Sequence, residues 1–154
     1  MRFNKYTLLL ILTISFGGCA TARIPAYVQS QEVPYKKKFF TTYENTLLST
    51  KVVLEELGWY IEEEKDPSIY ERIANADDPY SSNVLLITEV REQGLVVGTI
   101  YKRLNVFISS GVDDKETDVE VRSLTVTAMP FSSIRDYKDD ADVDIIFKKI
   151  EESL

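Results

Sequence analysis

Two long alternating runs, separated by the polar stretch GVDDKE at 111–116, constrain this chain more than any other feature. In the first, LVVGTIYKRLNVFIS at 95–109, Ile100, Leu104, Val106 and Ile108 share one face of an extended strand, because strand side chains alternate with a period of two. The second, TDVEVRSLTVTAM at 117–129, continues until Pro130 ends it. Its apolar phase slips between Val121 and Leu124, which predicts a β-bulge. Gly98 marks a bend or bulge in the first run.

Shorter extended segments come before them. WYIEEE sets Trp59 and Ile61 against Tyr60 and Glu62, the pattern of a half-buried strand. Asp66-Pro67 breaks it. SIYERI reads as a second strand in a hairpin, ANADDPYSSN as a loop, VLLITEV as a third strand and REQG as a turn. Residues 66–82 leave two readings open: a fifth strand, or four strands and a long loop.

Helical patterns flank the strands. TTYE puts Thr41 three residues before Glu44, the spacing of a capping box. Phe40, Tyr43, Leu47, Leu54 and Leu57, with Val53 beside them, form one apolar stripe, and Gly58 suits a left-handed stop. Near the C-terminus Asp139, Asp140, Asp142 and Asp144 crowd a helix start, and Lys148 and Lys149 lie toward its end, as the helix dipole favours. Val143, Ile146, Phe147 and Ile150 are its apolar stripe. The order helix, antiparallel strands, helix predicts an α+β fold in two layers: a sheet of four to five strands with the N-terminal and C-terminal helices packed on one face. The other face, with Lys102, Arg103, Asn105, Glu120 and Arg122, is partly polar and left for water or a partner.

The N-terminus follows a different logic. Arg2 and Lys5 precede YTLLLILTISF at 6–16. That run is too short to span a bilayer, which takes about 20 apolar residues, and suits a signal-peptide core. Gly17 and Gly18 then lead into Cys19, the only cysteine. This arrangement resembles a bacterial lipobox, with Phe16 standing where leucine is usual. The resemblance implies cleavage between Gly18 and Cys19 and a diacylglycerol on the Cys19 sulfur, with the new amino group open to acylation. Several acyl chains hold a protein durably, where one binds only marginally. Ala20 stands where an aspartate favours inner-membrane retention, so the resemblance implies the periplasmic face of the outer membrane, or the outer face of the inner membrane if sorting differs. The chain then divides into a signal peptide at 1–18, a lipidated N-terminus and flexible tether at 19–38, and one periplasmic domain at 39–154. Extended, residues 20–38 reach roughly 60 Å. Lys36, Lys37 and Lys38 read as a solvated run or as a contact with anionic head groups.

Cleavage removes Arg2 and Lys5 and no acid, moving the net charge from −7 to −9. An acidic chain of this kind repels nucleic acid. The sequence has no histidine, so the commonest general acid/base and metal ligand are missing. With Cys19 acylated, no thiol remains for catalysis, disulfides or zinc. No catalytic residue, cofactor or metal ligand is assigned. Asp140, Asp142, Asp144 and Glu151 match calcium-loop spacing, but Ile145 occupies the position that requires glycine. Glu62, Glu63, Glu64 and Glu71 raise paired-carboxylate chemistry; alternation puts Glu62 and Glu64 on one face and Glu63 on the other, as in a solvated strand. Ser81-Ser82 and Ser109-Ser110 have no base nearby in the pattern. Tyr27, Tyr35, Tyr80 and Tyr137 read as interface tyrosines or as residues that pin loops.

The pattern over 40–154, with VLEELGW ending the first helix and IIFKKIEESL closing the chain, is similar to small uncharacterised envelope lipoproteins. It is distantly similar to the helix-and-sheet domains of BamC, an accessory lipoprotein of the outer-membrane protein assembly machine. That resemblance implies a binding or scaffolding role with no cofactor. The expectation is a non-enzymatic, membrane-anchored lipoprotein that meets another envelope protein. The alternative is a carrier holding a lipid or small apolar ligand between helices and sheet.

Overall fold

The computed structural model describes residues 22–29, 35–71, 82–111 and 115–154. Seven strands and two helices fall among them: β1 (Tyr35–Phe39), α1 (Tyr43–Glu56), β2 (Ile61–Lys65), β3 (Asn83–Thr88), β4 (Arg91–Gly94), β5 (Thr99–Ser110), β6 (Thr117–Met129), β7 (Ser132–Asp136) and α2 (Asp140–Ser153). The strands form one antiparallel sheet in the order β1-β6-β5-β3-β2, with β4 also on β5 and β7 also on β6.

The fold is α+β, and its sheet is larger than the four to five strands expected. Three segments account for the difference. Residues 35–38, assigned to the tether, belong to β1 and pair with β6 from Val121 to Asp118. REQG, read as a turn, is β4. Residues beyond Pro130 return as β7. All three are short edge strands, whose exposed faces carry little of the hydrophobic alternation that reveals a strand in sequence. SIYERI does not begin as a strand. Pro67–Ile69 is a 3-10 turn capped by Asp66, whose carboxylate accepts from Ser68 N at 2.9 Å.

β5 and β6 pair without interruption from Thr99 opposite Ala128 to Ser110 opposite Thr117. The expected bulge between Val121 and Leu124 is therefore absent. The apolar phase changes because the buried side changes. Val106 and Val121 face one side, here the first, with Leu104 and Ile108; Leu124 and Val126 face the second. The bulge in this sheet lies in β2, where pairing with β3 shifts between Ile61 and Glu63.

α1 begins one residue later than the capping-box spacing suggests. Thr42 is the cap, and its Oγ1 accepts from Asn45 N at 3.4 Å. Phe40 lies outside the helix and is exposed. Gly58 takes a positive φ of 74° and stops the helix, with Trp59 N donating to Leu54 O at 2.7 Å. In α2, Val143, Ile146, Phe147 and Ile150 are buried, as their spacing predicts. They share one hydrophobic cluster with Val53, Leu54 and Trp59, and with Leu86, Leu104, Val106, Ile108, Val119 and Val121 of the sheet.

Candidate functional site

The second side of the sheet is covered by the protein's own N-terminal segment. Asn105 and Arg122 lie directly opposite each other on β5 and β6, as do Phe107 and Glu120, and Arg103 and Leu124. Arg103, Asn105 and Arg122 are buried, so the face expected to meet water or a partner is closed. Lys102 is not part of it. Alternation turns Lys102 to the first side, where its ammonium bridges Asp139 at 2.9 Å and Asp142 at 3.1 Å.

Asn105 holds the segment like an extra strand partner. Its Oδ1 accepts from Val28 N at 2.6 Å, and its Nδ2 donates to Ala26 O at 3.1 Å. Val28 is 2 % exposed and clusters with Leu124 and Val126; Ala22, Ile24, Tyr101 and Tyr137 pack around them. The part of the expected flexible tether that is described, at 22–29, is thus a strap against the domain.

Arg122 is the charged centre. Its guanidinium lies 2.5 Å from Glu120 and 2.7 Å from Glu71, donates to the Tyr27 hydroxyl at 3.0 Å, and sits 4.0 Å from the Phe107 ring centroid. Burial pulls its pKa down, but the hydrogen bonds it donates to Glu120 and Glu71, together with their negative charges, outweigh that and raise it. Tyr27 stacks on Tyr70 with centroids 4.5 Å apart and planes 4° from parallel. Burial raises the Tyr27 pKa against the opposing Arg122 charge. Arg122 is thus taken up by carboxylates and rings of the same chain, and the arrangement binds chain to chain.

The other groups singled out from sequence are spread apart. Glu62 pairs with Arg103, Glu63 with Lys65, Glu64 with Lys51 and Glu71 with Arg122. The β2 bulge also takes Glu62 and Glu64 off the one face expected for both. Glu62 reaches Arg103 on the second side, whereas Glu64 lies opposite Leu86 and reaches α1. Lys36, Lys37 and Lys38 bond Glu120, Glu151 and Glu116 at 3.0, 2.8 and 2.6 Å, as part of a strand. Tyr35 donates to Asp140 at 2.5 Å and accepts from Asp139 N at 3.0 Å, pinning β1 to the start of α2. Ser82 N donates to Ser110 Oγ at 2.9 Å, a strand-end contact. Asp140 and Asp142 occupy the first turn of α2. Among the described residues no group of three or more His, Cys, Asp or Glu is placed to hold a metal.

One open depression of about 360 Å³ lies beside Lys102, lined by Arg91, Glu92, Gln93, Ile100, Lys102 and Asp142. Arg91 is committed elsewhere. It lies 3.7 Å over the Trp59 ring and donates to the carbonyls of Leu57 and Gly58, capping the C-terminus of α1. Burial lowers its pKa. Gly18, Cys19, Ala20, Tyr80 and Ser81 lie outside the described residues. No helix among the described residues is long and apolar enough to cross a membrane.

No family model matches this chain, and searches of curated proteins and of solved structures return no match.

Sequence reasoning missed the anchoring pair Asn105 and Arg122 as fixtures for residues 22–28. Two signals were present: the apolar residues Ile24, Tyr27 and Val28 within the supposed tether, and the phase change at Leu124. Together they describe a second buried surface and the segment that buries it.

Proposed function

We propose that this protein is a membrane-anchored lipoprotein of the periplasm, acting as a non-enzymatic binding or scaffolding component of the cell envelope. The lipobox-like run ending at Gly18-Cys19 carries the reading. The anchor is the lipid on Cys19, at the periplasmic face of the outer membrane. The domain is two-layered, with α1 and α2 together on the first side of the sheet. Confinement to one membrane raises the effective concentration of an envelope partner, so a weak domain contact suffices.

The packing supports a scaffold over a carrier. Leu54, Trp59, Leu86, Leu104, Ile146 and Ile150, none more than 2 % exposed, fill the space where a carried ligand would sit. The chemistry of the second side supports it too, because its two buried guanidiniums, Arg103 and Arg122, are each paired with carboxylates of the same chain.

The test compares wild type with Cys19→Ser in cells, by membrane fractionation and by the mass of the N-terminal peptide. The expected result is an acylated N-terminal cysteine and outer-membrane residence in the wild type; the variant carries no acyl mass, and either keeps its leader uncleaved at the inner membrane or is released. A wild-type N-terminus without acyl mass would overturn the anchor. Crosslinking in the same cells then identifies the partner; capture of one envelope protein by the wild type and not by the variant is the scaffold outcome.

A further inference from the structure

Two hairpin tips lie side by side at one end of the sheet. Leu95–Gly98 closes β4 onto β5, with Leu95 N donating to Gly98 O at 3.0 Å. Pro130 and Phe131 close β6 onto β7. Thr99 lies opposite Ala128, so the two turns are neighbours. Their side chains are apolar and face outward. Val96 and Phe131 are fully exposed, at 104 % and 101 %, and Leu95, Val97, Met129 and Ile134 are exposed with them. Turn geometry does not require this, because Gly98 and Pro130 already supply it. Residues 93–101 and 123–134 contain no Asp, Glu, Lys or Arg, in a chain that is 28 % charged.

The course of the strap indicates what covers this end. Ala22, Ile24 and Tyr101 pack on the cluster of Val28, Leu124 and Val126, whereas Tyr27 reaches Phe107 further along β5. The strap therefore starts on the tip-proximal half of the second side. Val126 lies three residues from Met129, roughly 10 Å along a strand. Cys19 is three residues before Ala22, so at most about 11 Å of chain separates them. Charge points the same way. A chain of net charge −9 after cleavage is repelled by an anionic bilayer, and the two turns themselves carry no acid, with Glu92 and Asp142 set back beside Ile100.

We infer that the paired tips, Leu95–Val97 and Met129–Phe131, are a bilayer-contacting surface that seats in the interfacial layer beside the anchor. This rests on the lipidation of Cys19 proposed above and deepens it. The acyl chains hold the protein at the membrane, and the tips fix its orientation, with this end of the sheet toward the bilayer. Aliphatic and aromatic side chains on uncharged turns are the kind that bury in that layer.

The experiment uses the full-length acylated protein in vesicles of phosphatidylethanolamine and phosphatidylglycerol whose acyl chains carry bromine. Trp59, the only tryptophan, is 2 % exposed and serves as the internal control. The Phe131→Trp variant should show a blue-shifted emission component that bromine quenches, while wild-type emission stays unquenched. Protein that co-floats with vesicles while Phe131→Trp remains unquenched overturns the tip proposal and leaves the anchor standing. If the N-terminal peptide carries no lipid, the anchor reading fails, and the tips are judged by flotation alone. Loss of flotation in Val96→Asp/Phe131→Asp then upholds them, and unchanged flotation overturns them. A dimer in solution that the same double variant disperses, without quenching in vesicles, makes the tips an interface between copies and also overturns the proposal.

Discussion

Asn105 shows how one polar side chain can decide what lies on a sheet. Its amide is fully buried and has one acceptor bond, from Val28 N, and two donor bonds, to Ala26 O and Leu104 O. An aliphatic residue there would fill the space and leave the Val28 amide without a partner. An Asn105→Ala variant should therefore lose about 2 kcal/mol in urea unfolding, the usual cost of orphaning a buried donor. The Val28 amide should gain the largest increase in hydrogen exchange, with residues 85–87 of β3 little changed. Uniform acceleration across the sheet would mean that Asn105 supports the fold as a whole and has no special hold on the strap. Arg122 acts beside it through charge, and its removal would leave Glu71 and Glu120 facing a buried space.

At the scale of elements, the long strands were legible and the edges were not. The β5 alternation at Ile100, Leu104, Val106 and Ile108 places those residues on one side, as the period of two predicts. α2 was legible for the same reason, since its stripe at 143, 146, 147 and 150 is buried. β4 and β7 have little buried alternation because each lies at an edge and faces solvent; every residue of β7 is exposed. Gly98 is the element-scale feature most open to test. Its φ is 111°, and a Cβ there would collide with the Ala128 carbonyl oxygen. A Gly98→Ala variant should lower stability by about 1–3 kcal/mol and open the β4–β5 turn, seen as faster amide exchange at Leu95. Unchanged stability would mean that this turn relaxes freely without the rest of the sheet.

For the molecule as a whole, Lys102 ties β5 to the start of α2 through Asp139 and Asp142. Burial lowers its pKa, but the hydrogen bonds to those two carboxylates and their negative charges together outweigh this and raise it above its ordinary 10.5. A raised folded-state pKa means that the charged form is favoured by folding. Its stabilisation is fully present below about 10.5 and is lost as pH climbs through the folded value. The wild type should therefore lose thermal stability more steeply than Lys102→Met above about pH 10.5. Tyr27, Tyr35 and Tyr43, whose pKa values are also raised, chiefly by burial, titrate in both proteins and cancel from the comparison. Parallel pH profiles would remove Lys102 from the account of how helix and sheet are joined.

The sequence by itself determined the α+β class, the long paired strands, the stop at Gly58 and the buried stripe of α2. Each is written in residues close along the chain, as a period or as a conformational preference. The tertiary structure alone decided three other things. It showed which side of β6 each apolar residue faces, since the change at Leu124 has one meaning for a bulge and another for a second buried surface. It made part of a supposed tether into β1 and a strap, because those residues find Asn105, Arg122 and β6 only after the chain has returned across the sheet. It also brought the tips at 95–98 and 129–131 together, through a register that pairs Thr99 with Ala128. Contacts between residues this far apart leave no period in a single sequence, and only the folded chain brings them together.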